Sequence, residues 1–228
     1  MNMNMRSWYK AVAVTVATSS LGISVQAQNV VYDASKQIGT TLVQSFYSTN
    51  EFGDQIKLAG AGPLDRTIGQ FKFEYYLSRF VSGDEKVTLR IYDNTGANGQ
   101  PNNLLWDSGA IALNERTGYQ TLVVNNPTDA SGNALTVPDW ITWTVSFSGI
   151  EGNESVGLLL RDTPTIGEDY TDYWEKTPDG WQTKIIQDTP VTFGAQVVAV
   201  PEPTTIQLGI LGALGLLGSL SIRRRSSK

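Results

Sequence analysis

Four stretches in the middle of the chain alternate apolar and polar residues with a period of two. In KVTLRIYD, Val87, Leu89 and Ile91 fall on one side and Lys86, Thr88 and Arg90 on the other. ITWTVSF sets Ile141, Trp143, Val145 and Phe147 against Thr142, Thr144 and Ser146. QFKFEYYL repeats the pattern with Phe71, Phe73, Tyr75 and Leu77, and VTFGAQV with Val191, Phe193, Ala195 and Val197. Successive side chains of a strand point to opposite faces, so these runs require half-buried antiparallel strands and do not fit a helix. Turn clusters separate them: SGDE at 82–85, DNTGANGQPNN at 93–103, ASGN at 130–133, EGNE at 151–154 and TPDG at 177–180. About ten strands at this spacing predict an all-β fold, an antiparallel β-sandwich of jelly-roll form over residues 28–198. No amphipathic helix, second domain or internal repeat is expected between Gln28 and Val200.

The chain contains no cysteine and no histidine. A thiolate nucleophile, a Ser-His-Asp triad and a histidine-ligated metal are therefore excluded, and the core must hold without disulfides. Between Gln28 and Val200 stand 11 basic and 21 acidic residues, a net charge of −10. Such a body repels nucleic acid, and no nucleic-acid partner is expected.

The two ends carry different patterns. Residues 1–27 combine a short basic region (Arg6, Lys10), an apolar run from Ala11 to about Val25, and small residues at Val25 and Ala27. This predicts a signal peptide cut by signal peptidase between Ala27 and Gln28. Near the other end, residues 206–222 are free of charge and, as a helix, cover about 25 Å, the short end of the range for a bilayer core. Arg223, Arg224 and Arg225 follow directly. A positive cluster stays cytoplasmic, which puts residues 28–200 outside, in agreement with the signal peptide.

The C-terminal stretch VPEPTTIQLGILGALGLLGSLSIRRRSS resembles the PEP-CTERM sorting signal of Gram-negative bacteria: a Pro-Glu-Pro motif, a short span and an arginine-rich tail. The resemblance covers residues 199–228 and implies that Pro201, Glu202 and Pro203 are read by an exosortase. That partner is a membrane-embedded cysteine transpeptidase which removes the tail. Arg223, Arg224 and Arg225 act as the cytoplasmic stop. The resemblance further implies export, transient anchoring in the inner membrane with the ectodomain periplasmic, and delivery to the cell surface or matrix. Two fixed prolines hold Glu202 extended, as a segment entering a protease groove must be. VTLRIYDNTGANGQPNNLLWDSG also resembles, loosely, the strand–loop–strand unit of bacterial secreted β-sandwich ectodomains.

Within the body, candidate chemistry is sparse. Asp93, Asn94 and Asn98 share one glycine-rich loop and are candidate calcium ligands, although Asx-turns account for the same residues. No other cofactor is expected. Trp174 and Trp181 flank EKTPDG, with Tyr170 and Tyr173 just before, and form a candidate carbohydrate contact. A four-residue loop places Lys176 opposite Trp181 and the two tryptophans on one face; a three-residue loop separates them, because a one-residue slip flips every side chain. Trp143 is expected in the core. The reading is a surface or matrix protein, not an enzyme, with a structural or adhesive role in the exopolysaccharide layer. A carbohydrate-binding module is the alternative, and a β-sandwich glycosidase or lyase the third.

Overall fold

The computed structural model describes residues 29–36, 45–78, 82–113, 116–186 and 192–200. The predicted signal peptide with its Ala27–Gln28 junction lies outside them, as do Val191, Pro201, Glu202, Pro203, the 206–222 span and Arg223–Arg225. Among the described residues no helix is long and apolar enough to cross a membrane.

Three of the four alternating runs become strands, and the fourth does so at its end. KVTLRIYD is β5 (Lys86–Asp93), QFKFEYYL lies in β4 (Ile68–Leu77), and ITWTVSF in β8 (Trp140–Ser148). The end of VTFGAQV opens β13 (Ala195–Ala199), which reaches one residue past the predicted domain boundary. The other strands are β1 (Asn29–Asp33), β2 (Ser45–Phe46), β3 (Glu51–Lys57), β6 (Leu104–Ala112), β7 (Gly118–Asn125), β9 (Val156–Leu159), β10 (Glu168–Asp169), β11 (Tyr173–Thr177) and β12 (Gly180–Lys184). Helical structure among the described residues is limited to two short 3-10 turns, at Pro63–Arg66 and Ala97–Gly99.

The strands form two antiparallel sheets. One runs β1–β13–β4–β9–β2, with β7 also paired to β4. The other runs β12–β11–β3–β8–β5–β6, with β10 also paired to β3. One buried cluster draws on both. Trp143 of β8 is fully buried and meets Phe71 and Phe73 of β4 with ring centroids 5.5 and 6.0 Å apart. Phe52 of β3 packs edge-on to Phe193 at 5.6 Å, and Phe193 bridges to Leu160 just beyond β9. Large aromatic rings supply much of the apolar area such a core removes from water.

The alternation of β8 needs one correction. Thr142 and Thr144 were expected to face solvent, yet both are fully buried. The strand is central, between β3 and β5, and polar side chains cover its outer face. Asn94 Nδ2 donates to Thr142 Oγ1 at 2.7 Å, and Thr144 Oγ1 donates to Glu51 Oε1 at 2.7 Å.

Candidate site: an aromatic cleft on the outer face

The hairpin of β11 and β12 settles the register. Thr177 pairs with Gly180, Lys176 with Trp181 and Trp174 with Thr183. Gly180 has φ +107°, a conformation open mainly to glycine, and it lets the chain turn after Pro178 and Asp179. Lys176 opposes Trp181, and Trp174 lies two residues before Lys176, so both tryptophans share a face. That face is the outer one. Tyr173 points the other way, into the core, where its ring meets Phe46, Phe52 and Phe193. Burial pushes its hydroxyl pKa up to about 12. Of the four aromatic residues predicted to contact carbohydrate, Tyr173 is therefore not available.

The remaining three line one open cleft of about 670 Å³. Trp174, 7% exposed, is buried at its base, and its Nε1 donates to Gln55 Oε1 at 3.0 Å. This bond fixes the Gln55 amide and leaves its nitrogen as the remaining donor. Trp181 stands edge-on to Tyr92, 5.3 Å between centroids, with Lys176 Nζ 5.3 Å from the indole centroid. Tyr170 stacks on Trp140 at 5.0 Å and an interplanar angle of 20°, while remaining 47% exposed. Gln182, Thr183 and Asp172 also line it, as do Asn98 and Gly99 of the 3-10 turn and Gln100 directly after it.

Beside the cleft lies a charged hub. Glu51 accepts hydrogen bonds from Tyr92 Oη (2.8 Å), Thr144 Oγ1 (2.7 Å) and Arg90 Nη1 (3.0 Å), with Lys176 Nζ at 3.8 Å. Arg90 Nε reaches Asp107 at 2.7 Å. Burial and the bond to Glu51 push the Tyr92 hydroxyl above its ordinary pKa. Tyr92 is thus held as a neutral donor, and the ring that supports Trp181 is held with it.

The loop predicted to hold calcium is internally bonded. Asp93 accepts from Thr95 Oγ1 at 2.9 Å, Asn103 N at 3.0 Å and Asn103 Nδ2 at 2.8 Å. Partial burial pushes its carboxyl up, but these donors outweigh that and hold it below the usual range. Asn94 turns onto the outer face of β8, where its Nδ2 donates to Thr142 Oγ1, and its Oδ1 is buried without a partner. Asn98 adopts φ +55° at the cleft wall. The loop thus separates the three candidates, and Asp93 is the anchor of an Asx-turn. Among the described residues no group of three or more acidic residues is set to hold a metal ion.

A second polar cluster lies inside the core. Asp54 is fully buried, facing inward with Phe52 and Ile56. Its Oδ2 accepts from Phe193 N at 3.3 Å, while its Oδ1, Asp169 Oδ2 and the Tyr32 hydroxyl are buried without partners. Burial, and then the charge of Asp169, push the Asp54 pKa well above the ordinary value, and burial raises Asp169 too. Sequence reasoning passed over Asp54. The signal was present in FGDQIK, where alternation places an aspartate between two core positions.

Comparison with known proteins adds one finding: residues 199–225 match the family model of the PEP-CTERM protein-sorting motif. No curated protein and no solved structure matches the chain.

Proposed function

Because the chain carries a PEP-CTERM protein-sorting motif, we propose that its ectodomain is an adhesive β-sandwich of jelly-roll form that holds polysaccharide at the cell surface. The motif marks an exported protein that is membrane-anchored before an exosortase processes it. In this reading the signal peptide is cut between Ala27 and Gln28, and Pro201, Glu202 and Pro203 are the exosortase's recognition residues. Residues 206–222 form the temporary span, with Arg223–Arg225 in the cytoplasm and the ectodomain periplasmic until release. The ectodomain acts by binding and not by catalysis.

The observation that carries the adhesive role is the cleft. Three aromatic side chains from separate positions in the chain, Trp174, Trp181 and Tyr170, line one open groove together with amides and a hydroxyl. Aromatic faces stack on the C–H faces of sugar rings, and fixed amides bond the hydroxyls between them. Native gels cast with polysaccharide test the reading, using the full chain purified in mild detergent. Retardation of the wild type, lost in a folded Tyr170→Ala/Trp181→Ala variant, is the expected result. Equal mobility of both proteins in every gel refutes it and leaves a purely structural surface protein.

A further inference from the structure

The cleft has a marked charge character. Among the described residues no lysine or arginine lines it. Its polar groups are the neutral side chains Gln55, Asn98, Gln100, Gln182 and Thr183, and one carboxylate, Asp172. The cations nearest on this face are already committed. Lys176 leans over Trp181 and toward Glu51, Lys57 pairs with Glu168 at 2.9 Å, and Arg90 is shared between Glu51 and Asp107. Asp172 itself makes no hydrogen bond or ion pair with another described residue. The body around the cleft carries a net charge of −10.

We propose that the cleft selects neutral polysaccharide, and that Asp172 is the residue that rejects glycans bearing carboxylate, sulfate or phosphate groups. This rests on the sugar-binding reading above and specifies its ligand. A sugar hydroxyl entering the cleft finds donors and acceptors of both kinds, and the Asp172 carboxylate accepts from it with a charge-assisted bond. An anionic sugar finds no countercharge. It must give up hydration beside an unpaired carboxylate, and like-charge juxtaposition of this kind is how binding sites exclude the wrong partner. Discrimination on the order of tenfold needs only about 1.4 kcal/mol.

The test compares polymers that share a backbone and differ in charge: hydroxyethylcellulose with carboxymethylcellulose, and dextran with dextran sulfate. The full chain in detergent is run in affinity gels with each, beside the Tyr170→Ala/Trp181→Ala variant, which sets the baseline for nonspecific repulsion. Above that baseline, at least one neutral polymer retards the wild type about tenfold more than its charged twin. Asp172→Asn reduces the ratio at least threefold, with the neutral interaction weakened by loss of its charge-assisted bond, and Asp172→Lys reverses it. A charged twin that retards the wild type as strongly as the neutral polymer overturns the selectivity while leaving sugar binding intact. An unchanged ratio in both Asp172 variants removes that residue from the role. Retardation by no polymer overturns the sugar-binding reading and the inference with it.

Discussion

Asp169 sits directly opposite Ile56 in the β10–β3 pairing, which sets its side chain diagonal to that of Asp54 on the inward face of the sheet. Glu168, one residue earlier, faces outward and pairs with Lys57. The two aspartates thus lie inside the protein with Tyr32, and the charged groups bearing on Asp54 are Asp169 and Asp172, both acidic. A fully buried carboxylate and a half-buried one without a cation between them do not both ionise at little cost.

The consequence is a pH dependence opposite in sign to that of most aspartates. Asp54 and Asp169 hold protons more tightly in the folded protein than in the unfolded chain. Their stabilising contribution is complete below the ordinary value of 3.8 and is lost as pH rises through the raised folded values. Asp54→Asn keeps the shape and an acceptor for Phe193 N while removing the ionisation. Urea midpoints measured from pH 4 to pH 9 will show the variant gaining on the wild type toward high pH and matching it near pH 4. A variant equally destabilised at every pH would mean that Asp54 is satisfied as a carboxylate.

Gly53 tests the closeness of β3 to β8. A Cβ there would lie 2.0 Å from Trp143 O and 2.5 Å from Thr144 Cα, both backbone atoms that cannot swing aside. Gly53→Ala is expected to cost about 3 kcal/mol by chemical denaturation, the upper range for overpacking. Gly69, where the nearest atoms are 3.5 Å away in ordinary contact, is the matched control. Gly69→Ala should be neutral or stabilising by about 0.5 kcal/mol, since alanine loses less backbone entropy in a strand. Equal costs at the two sites would refute the packing account.

The Glu51 hub should behave as one unit. Glu51→Ala leaves Tyr92, Thr144 and Arg90 without a shared acceptor, and breaking a largely buried pair from one side costs about 3 kcal/mol. Arg90→Ala should cost less, because Tyr92 and Thr144 still satisfy Glu51. A double-mutant cycle is expected to return a coupling of about 1–3 kcal/mol. Additive effects would reduce the hub to independent surface contacts.

Much of this was legible in the chain, and the missing parts share a cause. Period-two alternation located the four strands, because one face of each is apolar wherever the strand lies. It did not foresee the burial of Thr142 and Thr144, since burial of the polar face depends on β8 being central and on Asn94 and Glu51 arriving from elsewhere. The shared face of Trp174 and Trp181 followed from the spacing once the hairpin register was known. The rest of the cleft did not, because Gln55 and Asn98 join Tyr170 and the hairpin only through sheet order. Tyr173 shows the same limit in miniature. It stands one residue before Trp174, and adjacency in a strand means opposite faces.

The last prediction concerns the tail, where the family match and the chemistry of the chain coincide. Glu202 is the one charged residue between Val200 and the arginine cluster, held between Pro201 and Pro203. In the proposed reading the exosortase recognises that carboxylate. Glu202→Ala removes it, while Glu202→Asp keeps the charge on a shorter stem. Both variants leave residues 206–222 and Arg223–Arg225 intact, so membrane insertion should be unaffected. In a host that expresses an exosortase, the wild type should lose its tail, seen as a mass decrease in the released protein. Glu202→Ala should accumulate at full length in the membrane fraction, with processing reduced at least tenfold, and Glu202→Asp should fall between them. Replacing all three arginines tests the stop separately: it should alter orientation in the membrane and leave the Pro-Glu-Pro segment itself unchanged. Normal processing of Glu202→Ala would show that the enzyme reads the span and the tail and takes nothing from the glutamate.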